Sequence, residues 1–303
     1  MLQFHPSGIE QTAIVTSLGT MACYRPAVSS WPRFSLGAMP LLFLHGFGGG
    51  ASAYEWSKVY PAFIHRHPLL VPDLLGWGAS DHPTRDYQVS DYLITLTEFI
   101  EQTCDRPVVV VAASLTGAIG VRLAIEHPDL VAGLFLVCPS GFMDFGQDAG
   151  RRLPVQWVGT PLVGQLVYRL GATNEVAVRN FLEQFLFSDR DRLCPETVAA
   201  YLASAQQPNG DYAALSFLRG DLYFDLSRYL GQLTLPTWML WGEAARFTPI
   251  GLGERLAALN PTAIHQFIPV PQVGVLPHLE QPAIVIGYLD QFLASLGATI
   301  RYD

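Results

Sequence analysis

Six short segments of this chain are apolar at nearly every position, and they constrain the fold more than any other feature. Periodic, helix-like stretches lie between several of them, and they occur at residues 41–44, 69–71, 108–112, 134–138, 238–241 and 264–270. A strand with one face in water alternates apolar and polar residues, whereas a strand covered on both faces is apolar throughout. The pattern therefore predicts a mostly parallel sheet with helices on both sides.

Two features mark the start and an interruption of this pattern. Residues 14–16 and 21–24, separated by a short turn segment that contains Gly19, are typical of an antiparallel hairpin. Between residues 143 and 232 the alternation stops, and helical character is found at 155–170, 175–187 and 195–205. We therefore expect a core of residues 1–142 and 233–303, with residues 143–232 inserted as a helical cap, or lid.

A serine stands where one of the buried strands leads into a helix. Ser114 follows the apolar run at 108–112, and periodic apolar positions predict a helix at 118–127. A tight turn between the two would present the serine hydroxyl above the sheet, and it requires small residues two positions before and after. Ala112 meets this requirement, while the β-branched Thr116 fits it less well. Ser114 is a candidate nucleophile, and the alternative is a helix N-cap.

A glycine-rich loop follows the first apolar run. The segment His45-Gly46-Phe47-Gly48-Gly49-Gly50 comes directly after residues 41–44. Such a loop can offer backbone N–H groups to a developing negative charge. The alternative is a flexible connection between strand and helix, but this does not explain why the glycines follow His-Gly directly after a buried strand. The loop and the serine together predict a nucleophile and an oxyanion hole.

Four segments of the chain match the motifs of one family. They are the loop at residues 45–49, the segment 72–81 (PDLLGWGASD), which is similar to the family pattern PDLPGFGxSD, Ser114 at the strand-to-helix turn, and Glu280-Gln281-Pro282 at the start of the last predicted helix, 279–296. On these residues the chain resembles the α/β-hydrolase family of esterases, lipases, epoxide hydrolases, dehalogenases and peroxidases, from about residue 35 to 296.

The resemblance implies an architecture and a set of binding groups. The fold would be an α/β-hydrolase sheet of eight mostly parallel strands, with an N-terminal antiparallel hairpin and a helical cap inserted after strand six. The oxyanion hole would consist of the backbone N–H groups of Phe47 and Leu115. Gly46, Phe47 and Leu115 would then contact a bound ligand.

The chain departs from the family motifs at the two positions that move protons. The motif W-G-x-x-D carries the family's acid, and here Ala245 stands at its last position. The motif G-H-x-x-H-x-E carries the base as its first histidine, and here that position is Val275. A serine hydroxyl without a base is a poor nucleophile. The resemblance thus implies an incomplete triad in which Ser114 is kept while the acid and the base are lost.

Three other side chains are candidates to replace the lost acid and base. His278, the second histidine of the motif, is a candidate displaced base, and the alternative is a capping or packing histidine outside the pocket. Asp144 follows the strand at which some family members place their acid, and we expect it to be a solvated loop residue. Glu243 lies near the lost acid position, but its side chain would have to point in the opposite direction to replace the acid.

Composition and charge limit which partners and which cellular location can be expected. The chain has 303 residues and a net charge of −8, without a cluster of Lys or Arg, so nucleic acid is not an expected partner. No apolar stretch reaches the ~18 residues of a spanning helix, and no basic region followed by an apolar one starts the chain. We therefore expect no transmembrane segment and a cytoplasmic location.

No metal and no cofactor are expected. Four cysteines lie far apart in the sequence, without metal-ligand spacing: Cys23, Cys104, Cys138 and Cys194. The loop at residues 45–50 lacks the full G-x-G-x-x-G spacing of an NAD site.

The lost acid and base leave three hypotheses for the function. The first is a hydrolase-like protein, inactive or weakly active, that binds a small apolar molecule under the cap or binds a protein partner. The second is a serine carboxylic-ester hydrolase that uses a displaced base such as His278. The third is non-hydrolytic catalysis that needs only positioning and the oxyanion hole.

Overall fold

A twisted sheet forms the centre of the molecule in the computed structural model, which describes residues 4–27, 38–147, 168 and 172–299. Within these residues the sheet has eight strands in the order β1-β2-β4-β3-β5-β6-β7-β8. Their bounds are β1 Ile9–Thr16, β2 Gly19–Pro26, β3 Leu41–Leu44, β4 Leu69–Pro72, β5 Val108–Ala113, β6 Val131–Val137, β7 Thr237–Gly242 and β8 Ile264–Val270.

Strand direction follows the predicted arrangement. β1 pairs with β2 in an antiparallel hairpin with Ile9 opposite Pro26, and β2 joins the sheet antiparallel to β4. From β4 to β8 every pairing is parallel. The prediction of a mostly parallel eight-stranded α/β sheet with an antiparallel N-terminal hairpin is therefore confirmed.

Burial explains why these strands read as continuous apolar runs. All residues of β3, β4 and β5 are buried, whereas β1 at the sheet edge alternates between partly buried and exposed residues. The central strands lie between two layers of helices and cannot expose either face. β3 and β5 are direct neighbours, so the ends of these two strands bring the glycine loop and Ser114 together.

Helices cover the sheet and also fill the connection between β6 and β7. The helices that cover the sheet are α1 Val89–Thr103, α2 Ser114–Glu126, α6 Ile250–Ala257, α7 Pro277–Glu280 and α8 Pro282–Thr299. The helices between β6 and β7 are α3 Glu175–Phe181, α4 Pro195–Ala205 and α5 Gly210–Arg219. No helix in the described part of the chain is both long and apolar enough to cross a membrane.

The predicted helices of the inserted segment are found where the structure describes them. Residues 195–205 match α4, and residues 175–187 become α3 followed by a π-helical turn at Leu182–Leu186. The helix predicted at 155–170 lies outside the described residues, apart from Tyr168.

Two predicted helix bounds need correction. The periodic stretch at 118–127 belongs to a helix that spans Ser114–Glu126, because the residue at the turn, Ser114, is already the first residue of α2. The helix predicted at 279–296 is split in two at Gln281, which has φ −139° and ψ 64°. Pro282 follows, and a proline pushes the preceding residue out of the helical region and lacks the N–H that would continue the helix.

Candidate active site

Ser114 occupies a sharp turn between β5 and α2. Its φ is 55°, whereas Ala113 before it is extended at φ −121° and ψ 146°. A non-glycine residue in this left-handed region costs about 1–2 kcal/mol, so surrounding structure must hold it there. The turn places the serine at the edge of a cavity with 7% of its surface exposed.

Thr116 fits this turn because its hydroxyl has a local partner. The side chain is fully buried, and its Oγ1 donates a hydrogen bond to the carbonyl of Ala113 at 2.8 Å. This carbonyl lies at the end of the strand, and the bond ties the first turn of α2 to it. The β-branched residue that fitted the sequence pattern less well therefore stabilises the turn.

The glycine loop is held by His45 and by stacked aromatic rings. The Nε2 of His45 accepts a hydrogen bond from the N–H of Leu74 at 3.0 Å, so its Nδ1 carries the proton and donates to the carbonyl of Gly46 at 2.7 Å. The ring of Phe47 stacks on Trp77 with centroids 5.2 Å apart. The loop is thus fastened to the segment at residues 72–81.

A second fixed point of the loop is its approach to α4. A Cβ atom on Gly50 would lie 2.1 Å from the carbonyl oxygen of Tyr201, and the glycine has φ 90°. Only glycine tolerates both conditions. The loop and α4 therefore touch backbone to backbone beside the cavity.

Groups that could stabilise an oxyanion flank the serine. Gly46 and Phe47 line the cavity together with Ser114. Leu115 lies in the first turn of α2, where backbone N–H groups have no acceptor within the helix. This arrangement suits the two donors that the resemblance implies.

The cavity beside Ser114 has a volume of about 210 Å³ and is mostly apolar. Segments that follow strands of the sheet and the β6–β7 connection form its wall. The polar side chains Ser114, Glu55, Thr248 and three tyrosines interrupt a lining of aliphatic and aromatic residues that includes Phe142, Val178, Phe181, Leu186, Phe217, Phe247, Val275 and Leu276. Such a lining favours a ligand with an apolar body.

The positions at which the resemblance places the acid and the base lie in two adjoining loops. The N–H of Ala244 donates to the carbonyl of Val273 at 3.0 Å and joins the loop after β7 to the loop after β8. Val275 lines the cavity with 4% of its surface exposed, and Ala245 is buried at 6%. Both side chains are aliphatic, so neither can hold a proton.

Glu280 fixes the loop that carries Val275. Its carboxylate accepts hydrogen bonds from the N–H of Gly274 at 2.6 Å and from the N–H groups of Ser188 and Asp189 at 3.0 and 3.2 Å. The N–H of Val275 donates to the carbonyl of Leu186 at 3.1 Å. The glutamate of the family motif thus still shapes this loop around a residue that cannot act as a base.

His278 is buried next to Glu55, a residue of the cavity wall. It is fully buried, and its ring stacks on Trp56 with centroids 4.1 Å apart. Its Nε2 lies 3.8 Å from Oε2 of Glu55, and neither ring nitrogen has a hydrogen-bond partner among the described residues. It is not among the described residues that line the cavity. The interpretation as a packing histidine agrees with this placement, and the structure does not bring it to Ser114.

Glu55 is a buried carboxylate in the cavity wall that sequence reasoning missed. Its Oε2 accepts a hydrogen bond from the N–H of Gly46 at 2.8 Å, and its Oε1 accepts one from the hydroxyl of Tyr201 at 2.7 Å. Burial by itself raises the pKa of Glu55, but the neighbouring His278 and the hydrogen bond from the Tyr201 hydroxyl outweigh it and lower that pKa below its ordinary value. The glutamate therefore stays ionised at neutral pH.

A signal for Glu55 was present in the sequence. It stands between two aromatic residues, Tyr54 and Trp56, just after the glycine loop. Since a fully buried glutamate is nearly always paired, these apolar neighbours indicate that Glu55 has partners inside the protein. Thr248 gave no such signal, yet it is 1% exposed, lines the cavity, and its Oγ1 has no hydrogen-bond partner among the described residues.

The expectation that Asp144 is a solvated loop residue is wrong. It is 1% exposed, and its carboxylate accepts hydrogen bonds from the Ser140 hydroxyl at 2.6 Å and from the N–H groups of Gly141 and Leu226. Burial raises its pKa. The carboxylate joins the loop after β6 to the segment before β7. Glu243, by contrast, is exposed.

No group of three or more His, Cys, Asp or Glu side chains within the described ranges is arranged to hold a metal ion.

Comparison with known proteins gives a consistent family. A family profile described as alpha/beta hydrolase fold matches residues 39–282. A (lyso)-N-acylphosphatidylethanolamine lipase of Mus musculus is 30% identical over 283 residues, which cover 85% of this chain and 80% of the lipase. The uncharacterized hydrolase YugF of Bacillus subtilis is 25% identical over 262 residues, or 85% of this chain and 90% of that protein.

Solved structures share the same fold at low sequence identity. A thermophilic esterase from Thermogutta terrifontis has a TM-score of 0.75 and 20% identity, covering 95% of this chain and 99% of its own. The epoxide hydrolase CorEH has a TM-score of 0.76 and 18% identity over 95% and 99% of the two chains. Since the family profile spans most of the sequence, the chain belongs to the alpha/beta hydrolase fold family.

Proposed function

We propose that this protein uses the serine cavity of a hydrolase fold to bind a small, mainly apolar ligand and that it hydrolyses esters weakly or not at all. The observation that carries the proposal is Val275. This aliphatic side chain lines the same cavity as Ser114, at the position where the family motif has its base.

Hydrolysis by a serine depends on proton transfer. Attack by a serine hydroxyl needs a group that removes its proton. Loss of the serine or the histidine of a serine protease triad lowers turnover by roughly 10⁶-fold. The roughly 10³–10⁴-fold acceleration that remains comes from the oxyanion hole and binding. Ser114 with Val275 and Ala245 corresponds to this residual level.

The groups that bind rather than react are still in place. The turn at Ser114 keeps its left-handed φ, the glycine loop is fastened on both sides, and the cavity of about 210 Å³ offers an apolar wall. Residues 143–232 would act as the cap over this cavity, since Tyr168, Val178, Phe181 and Phe217 belong to its lining.

The hypothesis of a displaced base has less support. His278 is stacked on Trp56, lies 3.8 Å from Glu55 and is absent from the described lining of the cavity that Ser114 lines. In the described part of the chain, His45, His67 and His82 bond with backbone groups of other residues, and the ring nitrogens of His278 have no hydrogen-bond partner. Binding without efficient hydrolysis therefore accounts better for the site.

The test compares four proteins on short nitrophenyl esters and with a fluorophosphonate probe. We expect the unaltered protein and Ser114→Ala to hydrolyse the esters at rates within about tenfold of each other, because little serine-dependent catalysis remains. Ala245→Asp with Val275→His should raise the rate by at least roughly 100-fold, and adding Ser114→Ala should abolish this gain.

Two outcomes would contradict the proposal. One is rapid labelling of the unaltered protein at Ser114 together with turnover that Ser114→Ala abolishes. The other is loss of that turnover in His278→Ala, which would establish the displaced base. Native mass spectrometry of freshly purified protein gives an independent check, since the proposal expects a ligand that the protein retains.

A further inference from the structure

The cavity contains one charge, and it lies next to the serine. Glu55 is the only acidic or basic side chain among the described residues of the cavity lining. A Cβ atom on Gly46 would lie 3.5 Å from Oε2 of Glu55 and 3.7 Å from Cβ of Ser114. The carboxylate and the serine therefore face each other across the space that the glycine leaves open.

This carboxylate keeps acceptor capacity for a ligand. A carboxylate offers about four lone-pair sites. The N–H of Gly46 and the hydroxyl of Tyr201 account for two hydrogen bonds, and His278 contacts it at the longer distance of 3.8 Å. A ligand donor, such as an N–H group, would find a charged acceptor here.

The same cavity also has candidate hydrogen-bond donors for a ligand. Backbone N–H groups of Phe47 and Leu115 are available to a carbonyl oxygen, as argued above from the loop and the first turn of α2. The hydroxyl of Thr248 is a further polar group without a partner among the described residues, and it is buried in the cavity wall. A buried polar group without a partner is costly, and a ligand group can satisfy it.

We propose, on the basis of the binding function above, that the cavity selects an uncharged carboxamide on an apolar tail and rejects the carboxylate with the same tail. The amide carbonyl accepts from the oxyanion loop, and the amide N–H donates to Glu55. A carboxylate ligand has no donor for Glu55 and places a second negative charge beside it. In a partly buried site this repulsion weakens binding by roughly 30-fold or more.

The experiment measures the dissociation constants of octanamide and octanoate by titration calorimetry at pH 7.5, with unaltered protein and with Glu55→Gln. The two ligands share one tail, so their ratio reports the polar end of the cavity. We expect octanoate to bind the unaltered protein at least ~30-fold more weakly than octanamide, and Glu55→Gln to bring the two within about threefold.

A second variant keeps the inference testable if Glu55→Gln does not fold. Gly46→Ala inserts a methyl group between Glu55 and Ser114 at ordinary contact distances. We expect this variant to fold and to bind octanamide at least ~10-fold more weakly than the unaltered protein, because the methyl group occupies the place of the amide group. Gly287→Ala, at an exposed helix position with nothing within 4 Å of the new atom, is the matched control and should bind as the unaltered protein does.

The outcomes separate the two proposals. The inference on Glu55 is wrong, while the binding function stands, if octanoate binds the unaltered protein as tightly as octanamide. The same holds if the ratio of the two dissociation constants is large and Glu55→Gln leaves it unchanged. If neither compound binds, the binding function and this inference are both wrong. The inference would also be wrong if Gly46→Ala weakened octanamide binding no more than Gly287→Ala does.

Discussion

Two tyrosines allow the charge on Glu55 to be measured through stability. Tyr54 and Tyr201 are both buried, and each hydroxyl joins the turn after the glycine loop to α4. The Tyr54 hydroxyl bonds with the neutral Thr197 hydroxyl at 3.1 Å, whereas the Tyr201 hydroxyl donates to the Glu55 carboxylate at 2.7 Å. The two substitutions to phenylalanine therefore remove the same atom from the same interface with different partners.

The expected magnitudes follow from the partners. A neutral hydrogen bond contributes about 0.5–1.5 kcal/mol to stability, and one to a charged group about 1.5–3 kcal/mol. We expect Tyr54→Phe to lower the free energy of unfolding by about 1 kcal/mol and Tyr201→Phe by about 2 kcal/mol. Urea unfolding followed by tryptophan fluorescence measures both changes.

The pH dependence distinguishes the charge from packing. Because the pKa of Glu55 is lowered in the folded protein, its ionised form stabilises the fold at pH values above the ordinary pKa near 4.5. This stabilisation is lost as the pH falls through the folded pKa. The extra cost of Tyr201→Phe should therefore be constant from pH 7 to about pH 5 and shrink below it, while the cost of Tyr54→Phe should not change.

Two results would refute this reasoning. Equal costs for the two substitutions at pH 7 would show that Glu55 is not ionised or that its bond to Tyr201 is weak. An extra cost of Tyr201→Phe that grows on acidification would show that the pKa of Glu55 is raised rather than lowered.

Two further predictions concern backbone conformation and packing. Ser114→Gly should be about 0.5–1 kcal/mol more stable than Ser114→Ala in thermal unfolding, because glycine adopts φ 55° without strain, and the reverse order would contradict the strained turn. Gly287→Ala, on an exposed helix face with open space around it, should raise the melting temperature. Gly133→Ala in β6 should lower the melting temperature, with a loss of about 1–3 kcal/mol in the free energy of unfolding, because its Cβ would lie 3.1 Å from Leu296 and Phe292. Equal changes in melting temperature for Gly133→Ala and Gly287→Ala would refute the packing argument.

Local patterns were sufficient for most strands and for some helices. β3 has the predicted bounds 41–44 and α4 the predicted bounds 195–205. A strand that is buried on both faces must be apolar at every position, and a proline at the start of a helix is compatible with its first turn. Each of these signals lies within the element itself, so it can be read without knowing the neighbours.

Signals that depend on distant partners were harder to interpret. Asp144 was expected in solvent and is buried, because its carboxylate bonds with Leu226, which is far along the chain. The helix break before Pro282 was not predicted for a different reason. The apolar periodicity continues across the break, so it gives no sign of the hydrogen bond that the proline removes.

By itself the sequence determined the family resemblance, which rests on residues 45–49, residues 72–81, Ser114 and residues 280–282, and it showed that Ala245 and Val275 are aliphatic, because residue identity suffices for both. Only the tertiary structure decided what surrounds the serine instead. Glu55 meets Tyr201 and His278 across long stretches of chain, and burial together with these contacts determines its charge. Burial and charge are properties of the folded surroundings, so a residue's identity and spacing cannot specify them.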